Sequence, residues 1–550
     1  MGHLMRDRER TAKRCILLAI VSMLVLCAAH YHSASSREQS LETDRQSSPV
    51  DQNGVTPFHV AVAKGQFQIA KRLRKQVPDV DVKTHKGHTA LMIASDLGYD
   101  HLVRWLIDEG ADVNTRDNKG VTALLRASAK GHEDIVSMLC ENGADVAAVG
   151  PNDVTVLHVA AQKGHADLVD YFLRRGVGVN VLTDTNTTPL MLAAENDCVD
   201  AVDTLVRNGA DLHAVDDQGR TALFRAAAHD GRRAAKRLLG LGAEIDAQTD
   251  PGLTPLMMAA GGGWIEMVSL LLQEKADINL TSDLHWTALT HAVVARHQDV
   301  AELLINKGCS MESDIEGGPS ALPMALANGD PNMATFLIQR GADVNARGMA
   351  EDGTVLAMAA WGGYENIVRL LLERGADVDR SYDGGHTALM AACTKDSLGV
   401  VRLLVENGAA IDARDCNGVS PLLLASIIGN PDIIEYLLAQ GADVNHRGAH
   451  GFTPLHMASA GERQAAAIML LDAGADPHAR AADNSTPLMV AAEAGHVEVA
   501  RRLIAEGVDI TARNRRGETA LTLAKKNEHH GIVEILERAL SSSPEKAPTK

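Results

Sequence analysis

The residues best suited to chemistry in this 550-residue sequence are its 23 histidines and seven cysteines. Imidazoles and thiolates hold a transition metal when three or four converge at one point. The spacing argues against convergence. His59, His158 and His456 each stand three residues after a Thr, and His132, His165 and His496 each follow a Gly. Residues at one recurring register do the same structural job each time, here a hydrogen bond from imidazole to neighbouring backbone. The tandem His529-His530 reads as a solvated loop. No CxxC occurs, which excludes a zinc ribbon, and seven cysteines in so long a chain exclude a disulfide framework. Cys140, Cys198, Cys309, Cys393 and Cys416 fall at five unrelated registers, so free and mostly buried thiols are expected. There is no GxSxG elbow, HExxH pair, P-loop or calcium loop. Gly261-Gly262-Gly263 looks like a phosphate loop only in isolation, since no strand precedes it. The expectation is a non-enzymatic chain with no catalytic residues, no metal and no cofactor. An enzyme with a dispersed site is the competing reading.

The elements that carry these residues are built from small and aliphatic side chains. Hydrophobic residues make up 45% of the chain but aromatics only 3%, so elements must lie close together, as stacked helices do. Abundant aliphatics exclude wholesale disorder. The net charge of −18 works against nucleic-acid binding and against docking on anionic lipid, both of which need clustered Lys and Arg.

A Thr or Ser stands at 56, 89, 122, 155, 188, 221, 254, 287, 320, 354, 387, 420, 453, 486 and 519. The step is 33 residues except from 320 to 354, where it is 34. Leu follows two residues later in every case but Phe58, and Ala five residues later in every case. Such a register is a solenoid of fifteen units. In each unit a Gly or turn-former (Gly54, Gly120, Asp153, Asn186) makes a tight turn. The Thr then caps a short helix, and Pro often follows at its first position, as in Thr188-Pro189 and Thr453-Pro454. A second helix with apolar residues three and four apart (Ile433, Ile434, Leu437, Leu438) ends at a Gly such as Gly110 or Gly441, where a left-handed residue is wanted. Ala-Asp-Val-Asn and a polar hairpin lead to the next unit. Four places depart from the pattern: Val77-Pro78, Lys275 for the helix-ending Gly, His285 for the turn Gly, and one extra residue in 346–353. The ends carry polar caps, Lys64 to Lys75 at one and Glu528 to Arg538 at the other.

These units resemble the ankyrin-repeat family. The motif Gly-x-Thr-Pro-Leu-His stands as Gly451-Phe-Thr-Pro-Leu-His456 and, more loosely, at Gly54 to His59. The resemblance covers residues 51–540. It implies an all-α repeat solenoid of helix-turn-helix pairs with β-hairpin fingers on one side, and a concave groove lined by fingertips and first helices. It also implies binding of a partner protein, without naming it.

The N-terminus is separate. Residues 1–14 carry a net charge of +3, and an apolar run follows from Cys15 to Ala29. The run is short for a bilayer span of about 20 residues and suits a secretory signal, cleaved before His30, or else an uncleaved membrane anchor. Either places the remainder outside the cytoplasm: periplasmic, secreted or anchored. A buried first helix or a misassigned start is the competing reading. Residues 30–50 read as a flexible linker and 541–550 as a disordered tail. Asn186, Asn279 and Asn484 open N-x-T sequons, which a eukaryotic secretory route could glycosylate.

In family terms, the variable groove positions flank the turn Gly and close the first helix. They are mostly polar in repeats one to six (Lys86, His88, Lys119, Lys130, Lys163, Arg220). From repeat seven they turn apolar, and Leu253, Leu284, Trp286, Trp361, Ile427 and Phe452 are the expected partner-binding residues. Covering of the solenoid's own fingers is the plainer role for them. The expected function is an exported protein-interaction scaffold; the alternative is an accessory or inhibitory subunit of a periplasmic or lumenal enzyme.

Overall fold

The structure, a computed structural model, describes residues 51–313, 318–348, 353–461 and 464–542. The expected signal or anchor, the linker and most of the expected tail lie outside the described residues. Among those described, thirty α-helices form fifteen successive pairs, beginning with Pro57–Ala63 and Phe67–Arg74 and ending with Ala520–Lys526 and His530–Ser542. The last helix thus takes in two residues assigned to the tail. No helix among the described residues is long and apolar enough to cross a membrane.

Each first helix begins where its cap dictates. The Thr or Ser hydroxyl accepts from the backbone N–H three residues on, as in Thr155 to His158 and Thr254 to Met257. Ser320 is the exception, and its hydroxyl accepts instead from the Ser313 N–H at 3.0 Å. Pro189, Pro255, Pro421 and Pro454 take the first helical position, where a missing N–H costs nothing. Two departures seen in the sequence take the backbone of the Gly they replace: Lys275 has φ +73° and His285 φ +58°.

Two residues after each cap the Leu or Phe is buried in repeats one to fourteen, and the Ala five after is buried in all fifteen. Leu521, in the last layer, is half-buried. First helices pack against first helices more closely than second helices do against theirs, so the stack bends toward the first-helix side and that side is concave. At the opposite face, ion pairs tie one second helix to the next, among them Arg237–Asp203 and Arg502–Asp472, the latter at 2.8 Å.

The expected β-hairpin fingers are simpler than a hairpin. Among the described residues there is no strand, only the isolated bridges Arg347–Thr354 and Tyr382–His386. A typical finger closes on one backbone bond, Thr84 N–H to His88 C=O at 3.0 Å. Its tip then bonds the preceding finger, His85 N–H to Asn53 C=O at 2.8 Å. The five-residue loop is too short for a second rung, and the tip donor that would have built one is directed to the neighbouring layer. Asn114, Asn180 and Asn445 add a second tie, each accepting the backbone N–H of the Asp 31 residues later.

Candidate functional site

On a first helix the positions one, two, three, five and six after the cap are buried, as in Ala90, Leu91, Met92, Ala94 and Ser95. Positions four, seven and eight therefore face the concavity, together with the fingertip residues before each cap. This geometry places the six expected residues on one inner surface but not in one cluster. Leu253, Leu284 and Trp286 belong to the adjoining fingers of repeats seven and eight, joined by Asp283 N–H to Pro251 C=O at 3.1 Å. Trp361 and Ile427 close the first helices of repeats ten and twelve, and Phe452 stands on the finger of repeat thirteen.

Their exposure differs. Leu284 is 67%, Trp361 48% and Ile427 45% exposed. Leu253, Trp286 and Phe452 are half-buried. Trp286 rests edge-on against the His291 ring at 5.3 Å, and Phe452 against His456 at 5.5 Å. Both rings thus cover their own solenoid as well as facing the groove. Lys395 places its ammonium 4.5 Å from the centre of the Trp361 ring. Trp264, between the helices of repeat seven, is 37% exposed and donates its indole N–H to Ala228 C=O at 3.3 Å.

One row of groove residues escaped the sequence reading. Four residues after the cap stand Met258, His291, Met358, Leu424 and Met457, all half-buried, while Met324 and Ala391 at the same position in repeats nine and eleven are buried and interrupt the row. An aliphatic residue at a helical interval reads as core; only the closed positions on either side show that this one is open. Methionine adapts its shape readily, which suits a surface that must mould to another chain. His291 Nε2 is buried without a hydrogen-bond partner, and burial pushes this imidazole down to about 4.

The scaffold role of the motif histidines is visible in their bonds. Each ring joins its cap hydroxyl to a later finger: His158 lies 3.0 Å from Thr155 Oγ1 through Nδ1 and 3.0 Å from Thr187 C=O through Nε2. His456 does the same with Thr453 and Ser485 C=O. His132 and His496 reach Asp96 C=O and Ser459 C=O. Among the described residues no group of three or more His, Cys, Asp or Glu could hold a metal ion. Cys140, Cys309 and Cys393 are buried and free, Cys198 half-buried and Cys416 exposed.

Repeats three and six place an Arg at the open fourth position. Arg126 meets Asp117 at 2.8 Å. Arg225, 9% exposed, meets Asp216 at 2.7 Å, Glu195 at 2.7 Å and Thr187 Oγ1 at 3.0 Å, while Arg220 adds a further contact to Asp216 at 2.8 Å. Burial alone would raise the Asp216 carboxyl; the Arg220 N–H and the Arg225 guanidinium outweigh it and hold it below the usual carboxylate range. This knot is internally satisfied.

The family-level comparison agrees with the described fold. The sequence model for "Ankyrin repeats (3 copies)" matches residues 58–150, 157–249, 223–315, 307–382, 380–448, 409–481 and 469–542. Over 84 residues the chain is 34% identical to Neurogenic locus notch homolog protein 1 of Danio rerio, and equally to those of Cricetulus griseus and Mus musculus. That segment is 15% of this chain, and the chain spans 3% of the length of these curated relatives. Among solved structures, the human ASB11 ankyrin repeat domain is similar at 25% identity with a TM-score of 0.37, covering 40% of this chain and 99% of that one.

Proposed function

This chain belongs to the ankyrin-repeat family, and on that premise we propose that it is an exported, non-enzymatic scaffold holding a partner protein in the groove of repeats seven to thirteen. Ankyrin repeats in general bind other proteins. The observation that carries the groove assignment is the set of large apolar side chains left open on its inner wall, with Trp361 48% and Ile427 45% exposed beside the half-buried methionine row. Side chains of this kind desolvate strongly when a partner covers them and act as anchors at protein interfaces. Export rests on the basic start and the apolar run Cys15 to Ala29.

The test is affinity capture with mass spectrometry on the full chain and on the Trp361→Ala/Ile427→Ala double variant. A specific partner should be lost from the variant while its melting curve stays unchanged; equal capture would refute the groove assignment. Trp286→Ala is the poorer choice, since removing that ring also uncovers His291. Cell fractionation of the full chain and of a 1–50 deletion tests export: retention of the full chain in the cytoplasm would overturn it. A partner recovered at fixed stoichiometry that proves to be an enzyme would favour the accessory-subunit reading.

A further inference from the structure

The inner wall of repeats one to four has the opposite character to that of repeats seven to thirteen, and to the chain as a whole. Lys64, Lys130 and Lys163 end first helices, and Lys86 and Lys119 stand at fingertips; all five are exposed. None of them forms a salt bridge among the described residues. The acids nearby do not neutralise them. Asp117 is buried and taken up by Arg126 at 2.8 Å and by the Lys119 and Val121 N–H groups at 2.8 and 2.9 Å; the acids left on this face, the half-buried Asp96 and the exposed fingertip residues Asp51 and Asp153, are fewer than the five lysines. The lysines lie on neighbouring layers: Asn118 N–H bonds Lys86 C=O at 3.1 Å across two fingertips. At the helix ends the Gly131 junction abuts His165, so Lys130 and Lys163 follow one another along the wall. Beyond Lys163 the next two repeats break the run of open cations. Repeat five offers Glu195 at this face, and the arginines of repeat six are bound to Asp216.

We infer that this wall receives an acidic, extended segment of the partner protein, with a carboxylate at about every third residue. The inference rests on the protein-binding reading above and adds the partner's chemistry to it. Layers stand about 10 Å apart, and a chain extended as polyproline II advances about 3.1 Å per residue with three residues per turn, so every third side chain faces the wall, one per layer, and four layers take about twelve residues. A nucleic acid, the other ligand that lysines attract, is disfavoured. None of the wall positions in these repeats is Trp, Tyr or Phe, so the larger rings on which bases stack are missing. The same inner surface continues into the apolar row at Met258, Trp361 and Ile427, which a polyphosphate has no means of covering.

The experiment uses the full chain and a fluorescein-labelled twelve-residue peptide carrying Glu at every third position on a Gly/Ser background. Its controls are an isomer with the four Glu contiguous and a twelve-nucleotide single-stranded DNA. By fluorescence anisotropy, the spaced peptide should bind about tenfold more tightly than its isomer and weaken with added salt. Lys86→Glu/Lys119→Glu and Lys130→Glu/Lys163→Glu should each weaken it about tenfold or more. Lys→Gln versions, read beside circular dichroism, separate lost charge from lost fold. Equal binding of the two isomers, indifference to the lysine variants, or tighter binding of the DNA would each overturn the inference. Trp361→Ala/Ile427→Ala should leave peptide affinity unchanged. If that variant loses the cellular partner while the peptide fails to bind, the groove assignment stands and the acidic-segment inference falls; the converse result separates them the other way.

Discussion

At the residue scale, burial decides which titrating groups are spectators and which report on folding. His291 and His456 are held down to about 4 by burial. In the unfolded chain an imidazole takes up its proton near 6.5. Between those values the unfolded state binds more protons, so stability is full above pH 6.5 and is lost as pH falls toward 4. Urea midpoints measured from pH 7.5 to 4.5 should therefore fall, and His456→Gln should flatten part of the decline; an unchanged slope would remove His456 from the account. The thiols divide in the same way. Burial raises Cys309 to about 11 and Cys393 to about 12, whereas Cys416 is exposed. Among these three, an aromatic disulfide reagent should label Cys416 in the native protein and reach Cys309 and Cys393 only on unfolding.

At the element scale, a helix end or a buried charge is stable only if its local needs are met. Lys275 holds a left-handed backbone at φ +73° that its Cβ opposes. Lys275→Gly should raise stability by about 1 kcal/mol, read as a higher denaturation midpoint with unchanged groove binding. The Arg225 knot makes the opposite case. Asp216 lies with its side chain 1% exposed against two guanidinium groups, and Arg225→Ala would leave that carboxylate short of a partner at a cost of about 3 kcal/mol. Arg126→Ala should cost less, because the Arg126 side chain is 21% exposed and more open to water than Arg225 at 10%.

At the scale of the whole molecule, a solenoid is only as continuous as its weakest layer, because each layer contacts its neighbours and little else. Repeat nine stands out. Among the described residues its helix Ala321–Ala327 is the one first helix without a side-chain cap bond, and Pro323 sits within it. Native-state hydrogen exchange should open this layer before repeats seven and eleven, whose caps Thr254 and Thr387 are satisfied. Uniform exchange along the array would show that stacking alone sets its stability. If opening does begin there, it divides the basic wall of repeats one to four from Trp361 and Ile427, and a ligand spanning both should protect repeat nine most.

The repeating unit was legible in the amino-acid sequence because its decisive bonds are short in sequence. A Thr hydroxyl reaches an amide three residues on, a Gly relieves one backbone angle, and a 33-residue period brings the same residue back one layer later. From these the helix pairs, the structural histidines and the unpaired thiols all follow. What the tertiary structure alone decided is what lies open. Trp286 reads like Trp361 in the sequence, yet one rests on His291 and the other stands in the groove. The methionine row looks like core until the neighbouring positions are seen to be closed, and the fingertips bond one another instead of forming rungs. Exposure is a property of what the adjacent layers cover, and a residue's own register does not carry that information.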